Sequence, residues 1–252
     1  MAEQQDEGRQ FFLSYAGGSE RPEHDRGAGD MERLFYDHTG RPAHKWHHYF
    51  PTYDEVLARY RSGMPPTGRS LRFLEIGVWK GGSLQLWRKF LGPAAIIFGI
   101  DIDQQCAALD QPDLPVRIGS QDDPDFLRSV VAEMGGVDVV LDDGSHLGKH
   151  QLMSFAVLFP MLSDDGLYLI EDTHTSYWRE WEGGYQKQGT AIEIAKLLVD
   201  DMHGWYHGRK PRAYSKTKTE IASVAFYDSI IAIRKKSRGP PRHVIRPAVP
   251  GG

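Results

Sequence analysis

The chain has 252 residues, 40% of them hydrophobic and 25% charged, with 30 Lys and Arg against 34 Asp and Glu for a net charge of −4. This composition fits one large globular domain, excludes a disordered chain or a coiled coil, and gives no electrostatic basis for binding nucleic acid or an anionic membrane. No run approaches the roughly 18 to 20 apolar residues of a membrane span, so we expect a cytoplasmic protein with a small-molecule partner.

Cysteine content restricts the metal chemistry. Cys106 is the only cysteine, which excludes disulfides within the chain and cysteine-rich zinc sites. Any metal must therefore be held by oxygen or imidazole ligands.

The N-terminal quarter of the chain is predicted to lie outside the main domain. Residues 1–30 are polar and predicted to form a flexible arm, and 31–70 a helical or lid segment that contains KWHHYFPTYDEV. Thr52 and Glu55 have the spacing of a capping box, which predicts a helix from Thr52 through Tyr60.

From Leu71 onwards, short apolar runs alternate with longer amphipathic stretches, as in a parallel α/β sheet. Strands are predicted at 72–78, 96–102, 116–119, 138–143 and 166–172, and helices at 83–91, 122–134, 149–162 and 190–205. Two more strands, 221–228 and 229–236, are predicted to form an antiparallel hairpin. The expected fold is a doubly wound, mostly parallel sheet over 71–236, followed by a disordered basic tail at 237–252.

Ligands of such sheets bind beyond the carboxyl ends of the strands. The first strand leads into a glycine-rich turn whose candidate binding residues are Glu75, Gly77, Lys80, Gly81 and Ser83. Glycines allow a ligand to approach the backbone, and the following helix offers free amides. The spacing is not that of a strict G-x-G-x-x-G motif, so a plain tight turn is the alternative.

The next two strand ends extend the same crevice. Asp101, or Asp103 two residues later, can take the hydroxyls of an adenosine ribose. Ser120 and Gln121 are placed to meet a purine base. The alternative for each acid is a cap on the turn that follows.

Two strand ends carry consecutive acids, Asp142-Asp143 and Glu171-Asp172. Neighbouring strands lie about 4.8 Å apart, so these carboxylates would repel each other unless a cation compensates. Mg²⁺ suits such an oxygen-rich site, and Asp143, Glu171 and Asp172 are the preferred ligands. Asp142 is expected to turn towards its own loop. Ordinary turn and cap acids are the alternative.

His146 follows Asp143 by three residues, and the two form the candidate catalytic pair. An imidazole has an unperturbed pKa near 6.5, so His146 is a candidate general base. His174 is an alternative base or ligand. Together Asp143, His146 and His174 would also suit a non-haem iron site, which leaves an iron-dependent hydroxylase open.

The motifs LEIGVWKGGSLQLW, GIDID, VLDDGSH, GLYLIEDTH and FYDSIIAIRK occur in this order between about 44 and 236. In this set the sequence resembles the class I S-adenosylmethionine-dependent methyltransferases, specifically the metal-dependent sugar O-methyltransferases of natural products such as macrolides. Relatives include proteins labelled cephalosporin hydroxylases. The resemblance implies methyl transfer from S-adenosylmethionine to a sugar hydroxyl in antibiotic biosynthesis.

The resemblance also implies residue roles. It assigns the methionine part of the cofactor to Glu75 and the turn from Gly77 to Ser83, the ribose to Asp101, Mg²⁺ to Asp143, Glu171 and Asp172, and the base to His146. Tyr49 belongs to a segment that closes over cofactor and acceptor. A homo-oligomer is expected by analogy. The N-terminus is shorter than in some macrolide-sugar relatives, so the oligomer and the substrate pocket are not transferred from them.

The acceptor is expected to be a glycoside. Tyr177, Trp178 and Trp181 stand before Gly183-Gly184, a composition that suits a lid, and His174 lies close by in the sequence. Aromatic packing of a long loop is the alternative. Other functions left open are a catechol acceptor, an NAD-dependent oxidoreductase and a binding protein without catalysis.

Overall fold

A seven-stranded sheet organises the chain, which a computed structural model describes over residues 29–62, 68–207 and 220–246. The strands are β1 (Arg72–Ile76), β2 (Ile96–Asp101), β3 (Val116–Ile118), β4 (Val137–Asp142), β5 (Leu162–Ile170), β6 (Ile221–Tyr227) and β7 (Ile230–Lys235). Their order is β3-β2-β1-β4-β5-β7-β6, with β7 antiparallel to β5 and β6 antiparallel to β7. The predicted doubly wound, mostly parallel sheet with a C-terminal hairpin is confirmed.

Helices cover the two faces of this sheet. They are α1 (Asp30–Tyr36), α2 (Tyr49–Leu57), α3 (Gly82–Leu91), α4 (Pro124–Glu133), α5 (Gly148–Met161), α6 (Ala191–Met202) and α7 (Gly204–His207). Short 3₁₀ turns occur at Ala58–Tyr60, Gln104–Leu109, Thr173–Tyr177 and Arg179–Trp181. None of the helices in the described ranges has both the length and the apolar character needed to cross a bilayer.

The apolar runs of the central strands are long because both faces of the sheet are buried. Successive side chains on a strand point to opposite faces, so Phe73 packs in the cluster that contains Trp87, and Leu74 packs in the cluster that contains Phe155. All six residues of β4 are buried. This burial explains why the strands lack a polar alternation in the sequence.

The order in which the strands are added reverses beside β1, although β1, β2 and β4 run parallel. From β1 the chain moves outwards through β2 to β3 and then returns to place β4 on the other side of β1. A crevice forms at such a switch point, beyond the carboxyl ends of the strands. This topology places the turn after β1 and the acids after β4 and β5 at one edge.

The capping-box prediction at Thr52 is wrong. The helix begins at Tyr49 with His48 as its N-cap residue, and Thr52 is buried inside it. Tyr49 and Tyr53 are fully buried one helical turn apart, and the Tyr53 ring lies 5.2 Å from the Trp87 ring. Because these aromatic side chains pack in the core, the helix begins about one turn before the position that the capping box indicates.

The predicted arm and tail stay predictions. Residues 1–28 and 247–252 lie outside the described residues, and 237–246 contain neither helix nor strand.

Candidate active site

A cavity of about 890 Å³ opens at the carboxyl ends of the central strands. Its lining comes from the turn after β1, the ends of β2, β3, β4 and β5, and the irregular segment 42–46 between α1 and α2. The predicted site residues in this lining are Tyr49, Gly77, Lys80, Ser83, Asp101, Ser120, Gln121, Asp143, His146, Glu171 and Asp172. Residues from five separate strand ends therefore meet around one cavity.

Glycine is required at two positions of the turn after β1. Gly77 has φ +91°, and a Cβ atom there would lie 2.1 Å from the carbonyl oxygen of Asp143. Gly81 has φ +80° and is the N-cap residue of α3. The first glycine lets β1 and β4 approach each other, and the second lets the chain turn into α3.

Glu75 lies behind this turn and does not line the cavity. Its side chain is fully buried and accepts hydrogen bonds of 2.8 Å from the Ser83 hydroxyl and from the Trp87 indole nitrogen. Burial raises the pKa of Glu75 to about 7, although Lys45 lowers it. In this structure Glu75 anchors Ser83, which itself faces the cavity.

Asp101 ties the end of β2 to the glycine-rich turn. One carboxylate oxygen accepts from the backbone amides of Val78 (2.8 Å) and Trp79 (3.0 Å), and the other accepts from Asp103 (2.9 Å). Asp103 also lines the cavity and caps the turn that follows it. Both acids thus serve as turn acceptors, the alternative left open by the sequence, and both also face the cavity.

Gln121 is turned into the protein. Its amide nitrogen lies 3.0 Å from Asp142 Oδ1, and its amide oxygen accepts from the backbone N–H of Ser145 at 2.7 Å. Ser120 lies in the lining of the cavity. The Gln121 side chain therefore holds the loop that carries His146, and both of its polar atoms are already engaged.

The prediction that Asp142 turns towards its own loop is wrong, because its side chain is buried and its partners lie in other elements. Its carboxylate accepts from Ser154 of α5 at 2.6 Å and from Tyr168 of β5 at 3.0 Å. Burial raises the pKa of Asp142 although these hydrogen bonds lower it. The loop after β4 thus rests on a buried polar cluster that consists of Gln121, Asp142, Ser154 and Tyr168.

Three candidate ligands converge at the loop. Within the described residues, one atom each from Asp143, His146 and Asp172 forms a group in which all lie within 4.8 Å of one another. His146 Nε2 is 3.5 Å from Asp172 Oδ2. Both residues have positive φ, +56° and +52°, a backbone strain that is common at functional sites. Carboxylate oxygens and imidazole suit a hard divalent ion, so these residues fit a metal site.

Glu171 is held by two partners that sequence reasoning missed. Lys45 Nζ lies 2.7 Å from Glu171 Oε2 and also bonds Asp143 Oδ2. The hydroxyl of Tyr53 donates to Glu171 Oε1 at 2.6 Å. Burial alone would lower the pKa of Lys45, but Asp143 and Glu171 outweigh it and raise that pKa, so the amine stays charged. The only sequence signal was a lone lysine beside an aromatic and histidine run.

Tyr49 and His174 meet at the C-terminal hairpin. The Tyr49 hydroxyl lies 2.5 Å from Asp172 Oδ1 and 2.9 Å from the hydroxyl of Ser229. His174 Nδ1 bonds the same serine hydroxyl.

His174 and Glu171 both stand outside the group of candidate ligands found in the described residues. Glu171 is connected to that group through the Lys45 amine, which also bonds Asp143. The group contains one histidine, whereas the iron-site alternative needs two.

The predicted acceptor residues form an aromatic cluster beside the cavity. The His174 ring lies 4.4 Å from the Trp178 ring and 5.5 Å from the Trp46 ring. Trp181 packs at 5.6 Å on Trp178, and Tyr177 is half exposed. Of this set only Trp46, which was not predicted, lines the cavity within the described part of the chain. It joins the cluster to the site.

Known proteins share this sequence pattern. Residues 74–173 match the family model described as "Methyltransferase domain". The chain is 34% identical over 218 residues to the 8-demethyl-8-(2-methoxy-alpha-L-rhamnosyl)-tetracenomycin-C 3'-O-methyltransferase of Streptomyces olivaceus, covering 82% of this chain and 54% of that relative. It is 37% identical over 164 residues to the Mycinamicin VI 2''-O-methyltransferase of Micromonospora griseorubida, covering 61% and 39%.

A solved structure shares the fold. The MycE methyltransferase from the mycinamycin biosynthetic pathway, in complex with Mg and SAH, superimposes with a TM-score of 0.71 at 31% identity, over 87% of this chain and 56% of that chain. A further MycE complex also contains mycinamycin VI and has a TM-score of 0.68 at 30% identity, over 83% and 54%. The chain spans about half the length of the curated relatives it matches.

Proposed function

We propose that this chain, which carries a methyltransferase domain of the class I S-adenosylmethionine-dependent fold, moves a methyl group from S-adenosylmethionine to a sugar hydroxyl of a glycosylated natural product. One observation carries the proposal: one ligand atom each from Asp143, His146 and Asp172 lie within 4.8 Å of one another. All three residues line the same cavity as the glycine-rich turn. Such a site combines oxygen donors for a divalent ion with a base for a hydroxyl proton.

The cofactor is assigned to the part of the cavity next to β1 and β2. Gly77, Lys80 and Ser83 face the cavity at the turn, and Asp101 and Ser120 face it at the next two strand ends. Glu75, Gly81 and Gln121 act indirectly, because their side chains or backbone shape the turn and the neighbouring loop. The cavity volume lies within the range of small-molecule sites.

A divalent ion such as Mg²⁺ is assigned to the acids. Asp143 and Asp172 would hold it, and Glu171 would be the third ligand. When bound, S-adenosylmethionine supplies an activated methyl group, and the ion supplies charge that raises the acidity of an acceptor hydroxyl.

His146 takes the proton of that hydroxyl. Asp172 lies 3.5 Å from His146 Nε2 and can stabilise the imidazolium that results. Tyr49 fixes Asp172 in turn, through its hydroxyl at 2.5 Å. The residues of the chain therefore position the acceptor, hold the charge of the site and remove one proton.

The acceptor is assigned to the side of the cavity where Trp46 meets the aromatic cluster of His174, Trp178 and Trp181. Aromatic faces pack against the apolar faces of sugars and aglycones. The relatives are named for rhamnosyl and macrolide substrates, so we infer a glycoside of this class.

Two further assignments stay proposals. A cytoplasmic location agrees with a single free and buried cysteine, and localisation of a tagged chain would test it. A homo-oligomer is inferred by analogy, and light scattering after gel filtration would test it.

Methyl transfer itself is tested with a panel of rhamnosides and macrolide glycosides, S-adenosylmethionine and Mg²⁺. We expect S-adenosylhomocysteine and a product heavier by one methylene unit, both lost on addition of a chelator. A catechol methylated in place of every glycoside would contradict the sugar acceptor but not the methyl transfer.

A further inference from the structure

We propose that Lys45 is an internal counter-cation of the acidic cluster, which bonds Asp143 and Glu171 when no divalent ion is bound and gives up both bonds when one binds. Lys45 then sets the metal affinity of the site. This inference rests on the proposed function, in which the cluster holds a divalent ion.

The acids hold the Lys45 ammonium group in its buried position. Its side chain is 3% exposed, and that of Glu171 is 1% exposed. A buried ammonium is costly unless charged partners and hydrogen bonds compensate for its lost hydration. The bonds from Nζ to Asp143 Oδ2 and to Glu171 Oε2 provide that compensation. Lys45 thus joins an acid after β4 to an acid after β5.

An ion that binds both acids must compete with this amine. Mg²⁺ binds carboxylate oxygens directly, so Asp143 and Glu171 would hold it through the carboxylates that Lys45 Nζ bonds. Two cations this close would repel each other strongly in a site with little water. The amine must leave before Glu171 can act as a ligand.

Lys45 can leave without unfolding a helix. It lies in the irregular segment 42–46, in which the residues His44, Lys45 and Trp46 line the cavity. The ammonium group sits on a flexible four-carbon stem. A change of its rotamer would move the charge from the acids into the cavity.

The exchange predicts how the acids can stay close together when no ion is bound. Asp143, Glu171 and Asp172 would repel one another without a cation. Lys45 removes part of this repulsion, and the same bonds reduce the gain from binding an ion. Lys45 therefore stabilises the acidic cluster without metal and lowers its affinity for a divalent ion.

The first test is Lys45→Met, measured by calorimetric titration with Mg²⁺ and by thermal unfolding with and without Mg²⁺. We expect Mg²⁺ affinity to rise by about tenfold or more, because the competing charge is gone. The melting temperature should fall without Mg²⁺ and recover with it. Lys149→Met is the matched control, since Lys149 is exposed and pairs with Glu182 away from the acids; its Mg²⁺ affinity should equal that of the wild type.

The second test is Glu171→Gln, which decides the question even where Lys45→Met does not fold. The exchange predicts that Mg²⁺ affinity falls at least as much as when an outer-shell partner is lost, which is about 10- to 100-fold, because a direct ligand is removed. Wild-type affinity in Glu171→Gln would mean that Lys45 and Glu171 form a permanent pair, and would overturn the inference. Unchanged or weaker Mg²⁺ binding by Lys45→Met would also overturn it.

The two proposals fail in different ways. Mg²⁺ binding by the wild type without the predicted changes in the variants overturns the exchange alone. No Mg²⁺ binding by the wild type or by Lys45→Met overturns the exchange and the metal assignment together.

Discussion

His146 has a strained backbone and a partly exposed imidazole, and it lies where the cavity opens at the carboxyl ends of the strands. Its φ is +56°, its side chain is 19% exposed, and its Nδ1 atom is buried without a hydrogen-bond partner among the described residues. Such strain persists only where the surroundings impose it. Here the buried cluster around Asp142 and Gln121 holds the loop and so fixes where His146 stands.

His146→Gln tests the role of the base. We expect the methyl-transfer rate to fall by about 10² to 10⁴, because the hydroxyl proton loses its acceptor. The affinity for S-adenosylhomocysteine should not change. Steady-state kinetics and calorimetry check the two parts, and an unchanged rate would contradict the assignment.

The Gln121→Leu variant tests whether Gln121 stabilises the protein without cofactor or serves as a contact for a purine base. The substitution leaves Asp142 and the Ser145 amide each without one partner, so we expect a loss of about 1 to 3 kcal/mol of stability in the absence of cofactor. Ser120→Ala is the control and should be close to neutral. Urea unfolding measures both, and a stable Gln121→Leu would contradict the network.

The positions of several site residues could be predicted from the sequence, and those of others could not. Asp143, Glu171 and Asp172 stand at strand ends, so their convergence follows from the sheet. Lys45 contacts Asp143 and Glu171 across 98 and 126 residues of chain, and no local pattern reports such a contact. Likewise, strand position alone does not tell that Glu75 faces Trp87 instead of the cavity.

At the scale of elements, the strands were predicted within a few residues and the first helices less well. A parallel strand buried on both faces is a short apolar run with clear ends. The start of α2 depends on packing of Tyr49 and Tyr53 against the core, which a cap signal does not include. The strand that ends at Ile170 begins four residues earlier than predicted, at Leu162.

The amino end of β4 is fixed by a buried acid far from the cavity. Asp138 Oδ2 accepts from Arg69 at 2.7 Å and from the Arg72 backbone N–H at 2.9 Å. Burial alone would raise the pKa of Asp138, but the hydrogen bonds from Arg69, Arg72 and Ser163 outweigh it and hold that pKa well below its usual value. Asp138 therefore anchors the strand as a carboxylate.

Asp138→Asn should lower the free energy of unfolding at pH 7 by about 2 kcal/mol. It should also make that free energy depend less on pH in the acidic range. Because the folded-state pKa lies below the unfolded value near 3.8, the contribution of Asp138 is present above that pH and is lost as pH falls below it. The difference in the free energy of unfolding between the wild type and the variant should therefore decrease from pH 5 towards pH 2.5. Denaturant unfolding at several pH values measures it, and a constant difference would contradict this account.

At the scale of the whole molecule, the topology of the sheet positions the candidate site more than any single motif does. The return of the chain to β4 brings five strand ends around one cavity. Alternating strands and helices predict this sheet, and the sheet predicts the cavity edge. The aromatic side chains from 46 and 173–181 meet through loops, so their arrangement could not be predicted from periodicity.

In the proposed function, the cavity binds an adenosyl cofactor and the acids separately bind a divalent ion. Calorimetric titration of the chelator-treated protein with S-adenosylhomocysteine, with and without Mg²⁺ and repeated on Asp143→Ala, tests it most directly. We predict cofactor binding that persists in the variant, together with Mg²⁺ binding that is lost. No binding of S-adenosylhomocysteine under any of these conditions would contradict the proposed methyl transfer.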